Sequence, residues 1–370
     1  MWLQQLSLTD IRSYAQADIQ LFPGVTCFIG SNGQGKTNIV ETIGYLATLR
    51  SHRVASDTPL VREGCDFGIV RAHVIEGDRH VTIDLQITSG QANKARINRA
   101  AAGRARDILG IVRVVMFAPE DVSLVKGDPS ERRAFLDDVI IQRSPRMAGV
   151  RADYDRVVKQ RSALLKSGGR DPYLDSTLDI WDEQLATLGA EITDARVRLV
   201  AELEPFVRER YASVAGEHSD THITYQPKCA VTMVDSVDAW RELLLTAAGD
   251  RRHEEIQRGV TLVGPHRDDL ELSLDGHPVK GYASHGESWS FALALRLASA
   301  DVLRSDGVDP IVILDDVFAE LDVGRRERLA AMAIEGTQTL ITAAVAEDIP
   351  ASLTGIRYEV RKGSVTAQAA

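Results

Sequence analysis

Residues 30–37 read Gly-Ser-Asn-Gly-Gln-Gly-Lys-Thr. A glycine, four residues, then Gly-Lys-Thr is the spacing of a phosphate-binding loop, and such a loop works only between a buried strand and a helix. Val25-Thr26-Cys27-Phe28-Ile29 supplies an apolar run before it, and Ile39, Val40, Ile43, Leu46 and Ala47 supply a helical pattern after it. Gly30, Gly33 and Gly35 let the backbone turn tightly and bring N–H groups to phosphate oxygens. The N-terminus of the following helix adds partial positive charge. Lys36 is placed to reach the β- and γ-phosphates of a nucleotide, and the Thr37 hydroxyl to ligate Mg²⁺.

The rest of the chain has to supply the other parts of such a site. Ile311-Val312-Ile313-Leu314 predicts a buried strand that ends in Asp315-Asp316. A carboxylate there can hold Mg²⁺ through water while Thr37 holds it directly, which is the expectation for Asp315. Asp316, one residue on, is the candidate to polarise an attacking water. Both acids could instead be a helix cap and first-turn charge. Ser284-His285-Gly286-Glu287 opens a strongly apolar helix, Phe291 to Leu303, with the spacing of a capping box. Ser-x-Gly-Glu alone is weak, but a hydroxyl at a helix N-terminus is a reasonable anion ligand.

At 370 residues the chain has room for two domains, or for one with a large insertion. Before residue 130 the pattern is strand-rich: residues 2–8 and 17–21, a hairpin at 67–75 and 80–88, a basic strand from Lys94 to Arg99, and Ile111 to Phe117. From Glu131 to Gly259 it is mostly helical and charged. Pro145 to Lys166 reads as one helix, 167–172 as a turn, 222–234 as a strand or two, and 236–258 as another helix. Between them, Trp181, Leu185, Leu188, Ile192, Ala195 and Leu199 make a seam of about three heptads, read as the core of a helical hairpin and not a long coiled coil. From Val260 strands return, and the tail from Arg357 offers one edge strand. The expected division is therefore 1–130 and 260–370 as two parts of one α/β head, with 131–259 as a helical insertion.

Composition narrows the class. With 44% apolar and 26% charged residues the chain reads as soluble and globular, and no apolar run is long enough to span a bilayer. Three scattered cysteines and no leader-like N-terminus predict a reducing cytoplasm. A net charge of −10 argues against a generally basic nucleic-acid binder and leaves room for a local basic groove. Arg50, Arg53, Lys94, Arg96 and Arg99 are the clustered bases that could form one, though Lys94, Arg96 and Arg99 could instead be solvated charges of an edge strand.

The order of phosphate loop, Ser-x-Gly-Glu, apolar strand with Asp-Asp, then Glu320-Leu321-Asp322 is the layout of ATP-binding-cassette ATPases. In detail the chain resembles the RecF family of bacterial recombination and repair ATPases. The resemblance runs through Leu6-x-Leu8-x-Asp10-Ile11-Arg12, Gly30–Asn38, Ala118-Pro119-Glu120-Asp121 and Gly127-x-Pro129. It continues in Arg132-Arg133-x-Phe135-Leu136-Asp137, Gly264-Pro265-His266-Arg267-x-Asp269-Leu270 and Leu314-Asp315-Asp316-Val317-Phe318-Ala319-Glu320-Leu321-Asp322. No motif matches within 145–255. The resemblance implies an SMC-like head without a long coiled coil. Its ATP site would comprise Arg12, Gly30, Ser31, Asn32, Gly33, Gln34, Gly35, Lys36, Thr37 and Asn38, with Mg²⁺ as cofactor. Ser284, Gly286 and Glu287 would complete the site of a second subunit, beside the D-loop acids Glu320 and Asp322. It implies an ATP-dependent homodimer, slow ATP hydrolysis, binding to gapped DNA, partnership with RecO- and RecR-type mediators, and support of SOS induction. Two departures stand out. Asp316 occupies the usual place of a glutamate, and Thr342-Ala343-Ala344 occupies the place of a histidine that contacts the γ-phosphate. Glu120 is the candidate for the cassette's middle glutamine. The rival readings are the ATPase subunit of a membrane transporter and a small-molecule kinase.

Overall fold

A computed structural model describes residues 1–167, 174–216, 219–229 and 233–368. The turn expected at 167–172, from residue 168 onward, and part of the 222–234 stretch lie outside the described residues. The chain separates into two units. The first comprises Met1–Val122, Glu209–His218 and His285–Ala370, and the second Ser123–Arg208 and Ser219–Ser284.

In the first unit the chain runs β1 (Trp2–Ile11), β2 (Tyr14–Gln20), β3 (Gly24–Ile29) and α1 (Lys36–Thr48). Then come β4 (Phe67–Glu76), β5 (Arg79–Thr88), β6 (Lys94–Ile97), β7 (Ala100–Ala101) and β8 (Val114–Phe117). In the second unit follow α2 (Val122–Lys126), α3 (Pro129–Arg143), α4 (Met147–Ser167) and α5 (Leu174–Ala215), whose last residues belong to the first unit. β9 (Thr221–Gln226), α6 (Val237–Arg258), β10 (Asp269–Leu274), β11 (His277–Pro278) and α7 (Val279–Tyr282) complete it. The first unit resumes with α8 (His285–Ser305), β12 (Ile311–Asp315), α9 (Val323–Ala333), β13 (Gln338–Ala343), β14 (Gly355–Arg361) and β15 (Ser364–Ala367).

Two six-stranded sheets build the first unit. One is antiparallel, in the order β2-β1-β4-β5-β6-β7; the other runs β15-β14-β3-β13-β12-β8 and is parallel except for β15. Side chains on a strand alternate between faces, and β12 shows what that achieves. Ile313 joins Ile39, Val40 and Ile43 of α1 and the Leu3, Leu6 and Leu8 face of β1, whereas Val312 and Leu314 join Trp289, Leu293 and Leu297 of α8. Helix α1 is thus buried between the two sheets, and α8 and α9 cover the far face of the parallel one. Parallel strands covered on both faces read as continuous apolar runs, which is why β3 and β12 are visible in the sequence. In such sheets ligands bind at the carboxyl ends of the strands, where β3 delivers the phosphate loop and β12 delivers Asp315.

Three expectations need correcting. The tail is not one edge strand: β14 pairs in parallel with β3 inside the sheet, and β15 forms the edge. Residues 260–284 cluster with the second unit, because β10 pairs with β9 from Asp269↔Gln226 to Leu274↔Thr221. Helix α5 is 42 residues long, and its buried face is broader than a heptad seam. Leu185, Ile192 and Leu199 are buried, but so are Ala186, Ala190, Asp182 and Arg196, while Trp181, Leu188 and Ala195 are only half-buried.

Candidate nucleotide-binding site

Gly35 caps α1 with a φ of 111°, a left-handed value that glycine adopts without strain. The space there is also closed: a Cβ on Gly35 would lie 2.8 Å from both the Ser13 Oγ and the Tyr14 hydroxyl. The Tyr14 hydroxyl donates to the Gly35 carbonyl at 3.0 Å. On the other side the β14–β15 turn braces the loop. The Lys362 N–H donates to Gln34 Oε1 at 2.9 Å, and a Cβ on Gly30 would meet the Val360 carbonyl oxygen at 2.3 Å. That support from the chain's end was not legible in the sequence.

Lys36 is almost fully buried, and its Nζ lies 3.8 Å from Asp316 Oδ2. The Thr37 hydroxyl donates to Asp315 Oδ1 at 3.1 Å, across 278 positions of sequence. The expected constellation of Lys36, Thr37, Asp315 and Asp316 is therefore assembled. Burial pushes the Asp315 carboxyl up to about 6, and the neighbouring Asp316 and Glu120 carboxylates push the same way. Thr342 works against them. Its hydroxyl donates to Asp315 Oδ1 at 2.6 Å and accepts from the Asp316 N–H at 2.9 Å. The residue in the place of the cassette histidine thus fixes both acids. Asp316 adopts a φ of 51°, a costly conformation for a non-glycine residue that this hydrogen bond helps to hold.

Arg12 does not lie open beside the loop. Its Nε and Nη2 donate to the two oxygens of Glu41 at 2.9 and 2.5 Å. Arg53 Nη1 donates to Asn38 Oδ1 at 3.2 Å and lies 3.6 Å from Glu41 Oε2, and Asn38 Nδ2 donates to Ser13 Oγ at 3.0 Å. Glu41 is fully buried on a helix face that it shares with Asn38, and nothing in the local sequence marks it. Arg53, a candidate DNA contact by sequence, is thereby tied to the phosphate-loop helix. Arg50 follows Leu49, the C-cap of α1. Lys94 and Arg96 are exposed on the same face of β6, with Ala95 buried between them, and Arg99 is exposed in the turn that follows.

Ser284 immediately precedes α8, whose first turn holds Gly286 and Glu287. Gly286 lies against the guanidinium of Arg325; a Cβ there would be 3.0 Å from Nη1. Asp322 caps α9 by accepting from the Arg325 N–H at 2.9 Å, and it also accepts from Arg325 Nη1 at 2.8 Å. Glu320 is exposed at the end of the turn before it. Arg296 of α8 pairs with Asp121 at 2.6 Å, so the Ala118–Asp121 motif anchors the same helix.

The motifs of the second unit meet one another. Arg132 is paired with Asp269 at 2.8 and 3.0 Å, and Arg133 donates to the Asp268 carbonyl at 2.7 Å. Arg196 bridges Asp137 and the Pro265 carbonyl. His266 Nε2 lies 3.2 Å from the Thr261 carbonyl, which can only accept, so Nδ1 accepts from the Tyr154 hydroxyl 2.7 Å away. Burial above all, opposed by the Thr261 bond and joined by Arg267, Arg133 and Arg151, lowers the His266 pKa to about 4. These segments hold the unit together as a buried polar network.

Known proteins match this architecture. The family model described as "RecF/RecN/SMC N terminal domain" matches residues 2–359. The chain is 55% identical over 372 residues to the DNA replication and repair protein RecF of Streptomyces avermitilis, covering 99% of each. It is 52% identical over 374 residues to that of Frankia alni, again over 99% of each. A solved structure described as "the recombination mediator protein RecF-ATP in RecFOR pathway" superposes with a TM-score of 0.90 at 26% identity, over 100% of this chain and 98% of that one. An Smc head domain from Pyrococcus furiosus, at 16% identity and a TM-score of 0.57, shares the fold. Sequence motifs, head architecture and relatives agree: the chain belongs to the RecF family of DNA replication and repair proteins, within the wider RecF/RecN/SMC group.

Proposed function

We propose that the first unit binds ATP with Mg²⁺ and hydrolyses it slowly, and that ATP drives two copies together head to head on DNA. The observation that carries this reading is the Thr37–Asp315 hydrogen bond beside the buried Lys36. Among the described residues no three His, Cys, Asp or Glu side chains cluster as a metal site. That suits Mg²⁺, which takes one or two protein oxygens and completes its shell with phosphate and water. Thr37 and Asp315 offer such oxygens, and a carboxylate whose ionisation burial disfavours gains from a cation. When bound, Mg²⁺ would neutralise phosphate charge as it develops. The loop N–H groups and Lys36 would cradle the phosphates, and Asp316 would orient the attacking water. A side chain shorter than glutamate suits slow turnover.

Ser284, Gly286 and Glu287, with the D-loop acids Glu320 and Asp322, would complete a second subunit's site, giving a two-fold dimer with two nucleotides between heads. Lys94 and Arg96, with Arg50 and Arg99, are the proposed DNA contacts, whereas Arg53 is tied to Asn38 and Glu41. The solved relative's place in the RecFOR pathway supports partnership with RecO- and RecR-type mediators at gapped DNA, and with it a role in replication restart and SOS induction. Family membership removes the ground for the transporter reading, and among the described residues no helix is long and apolar enough to cross a membrane. Equilibrium binding of ATP with Mg²⁺, and phosphate release, test the core of the proposal. Lys36→Ala should lose most of both, whereas Lys36→Arg should bind and hydrolyse poorly. Undiminished hydrolysis by Lys36→Ala would refute the site.

A further inference from the structure

We propose that Glu41 is a positioning residue that sets Arg12 and Arg53 against the nucleotide, a reading that rests on the ATP site proposed above. Glu41 sits on α1, just past the phosphate loop, with no exposed side-chain surface. A carboxylate buried there without partners would be strongly unfavourable. Instead it accepts from two segments and pairs with a second arginine. Arg12, in the β1–β2 turn, grips both oxygens at 2.9 and 2.5 Å. The Ser51 hydroxyl donates to Oε1 at 2.5 Å, and Arg53 Nη1 lies 3.6 Å from Oε2.

The contacts close a ring. Ser51 Oγ accepts from the Arg53 and Val54 N–H groups at 3.0 and 3.2 Å, which folds the segment after α1 back on itself. Arg53 reaches Asn38, which faces the same way as Glu41 three residues along the helix, and Asn38 donates to Ser13, next to Arg12. The β1–β2 turn, the first turns of α1 and the 51–54 segment are thus pinned to one carboxylate. A bidentate grip fixes the plane of a guanidinium as well as its place. It engages Arg12 Nε and Nη2 and leaves Nη1 outside the clamp, available to an anion. Gathering two cations from separate segments beside a phosphate loop is what a polyphosphate site requires.

Glu41→Gln keeps the shape but turns an amide NH₂ toward guanidinium donors. It should raise the Kd and KM for ATP about tenfold, the scale of one lost charge-assisted hydrogen bond, with kcat little changed. Glu41→Asp, which keeps the charge, should recover part of that loss. The Glu41→Gln/Arg12→Ala double variant should bind ATP more weakly than Arg12→Ala by less than the full Glu41→Gln effect, because the two changes share one guanidinium and only Arg53 remains for Glu41 to set. A purely structural role would instead lower the melting temperature and leave KM alone, and would add to Arg12→Ala. Either result overturns the proposal. Arg12→Lys, which keeps the charge but cannot grip both oxygens, carries the test should Glu41→Gln fail to fold: an unchanged KM in Arg12→Lys is equally fatal. Lys36→Ala separates the two readings. Loss of binding in Lys36→Ala with normal binding in Glu41→Gln and Arg12→Lys sinks only this inference, whereas a wild-type chain that binds no ATP sinks both.

Discussion

Thr342→Val tests how the two acids of the site are held. The hydroxyl is fully buried, donates to Asp315 at 2.6 Å and accepts from the Asp316 N–H at 2.9 Å. Valine fills the same space with neither function. Leaving a buried carboxylate oxygen and a strained N–H without this partner should cost the first unit about 2–4 kcal/mol, the sum of two such losses. The pH dependence gives a second reading. The native Asp315 pKa, about 6, exceeds its ordinary value of 3.8 because of burial, so between those values the native chain holds the proton longer than the unfolded one. Stability from this group therefore falls as pH rises through that window and levels off above 6. Without the Thr342 donor the pKa should rise further, so the fall should continue into neutral pH. The assay is denaturant unfolding of wild type, Thr342→Val and Thr342→Ser from pH 5 to 8, with serine expected to behave like threonine. A Thr342→Val chain with wild-type stability and an unchanged pH profile would refute the role assigned to this hydroxyl.

Further outcomes follow from other parts of the molecule. Asp316→Asn keeps its shape but loses the charge proposed to orient water; it should bind ATP, hydrolyse little and accumulate as ATP-bound dimer in sedimentation, and a variant that stays monomeric would assign Asp316 another role. His266 is held neutral, with its pKa lowered to about 4, so the second unit should lose stability as pH falls from 6.5 toward 4, by about 3 kcal/mol in all. His266→Gln should flatten that slope in acid unfolding, and an identical slope would mean another group titrates. Replacing exposed Lys94 and Arg96 with alanine should reduce the salt dependence of DNA binding by up to about 0.9 per lost duplex-phosphate contact, and an unchanged slope would move the DNA surface off β6.

The parts of the site that lie on buried parallel strands were legible, because a strand covered on both faces must be a continuous apolar run and its end must carry the chemistry. That is why Gly30–Thr37 and Asp315-Asp316 could be placed before any contact was known. Glu41 was not legible as a partner of Arg12, since nothing local tells an acid on a helix that it will be buried and meet two arginines from elsewhere. The β14–β15 brace was hidden for the same reason. Its strands are short, and their value lies in pairing with β3, far away in sequence. Thr342 read as a missing histidine, and only its two hydrogen bonds show what the position does. In the second unit, Arg132, Arg133 and His266 stood out as motif residues with no role, and the structure turns them inward on Asp269, Asp268 and Tyr154.

If two copies share each ATP site, sedimentation velocity of Ser284→Arg with ATP and Mg²⁺ must show it. Lys36 and Thr37 are untouched in that variant, so each monomer should bind ATP nearly as the wild type does. The arginine should clash where Ser284 would meet the partner's nucleotide, so ATP should produce dimers of wild type and only monomers of Ser284→Arg, with phosphate release lost in parallel. Normal ATP-induced dimers of Ser284→Arg, or full hydrolysis by a monomer, would contradict the account.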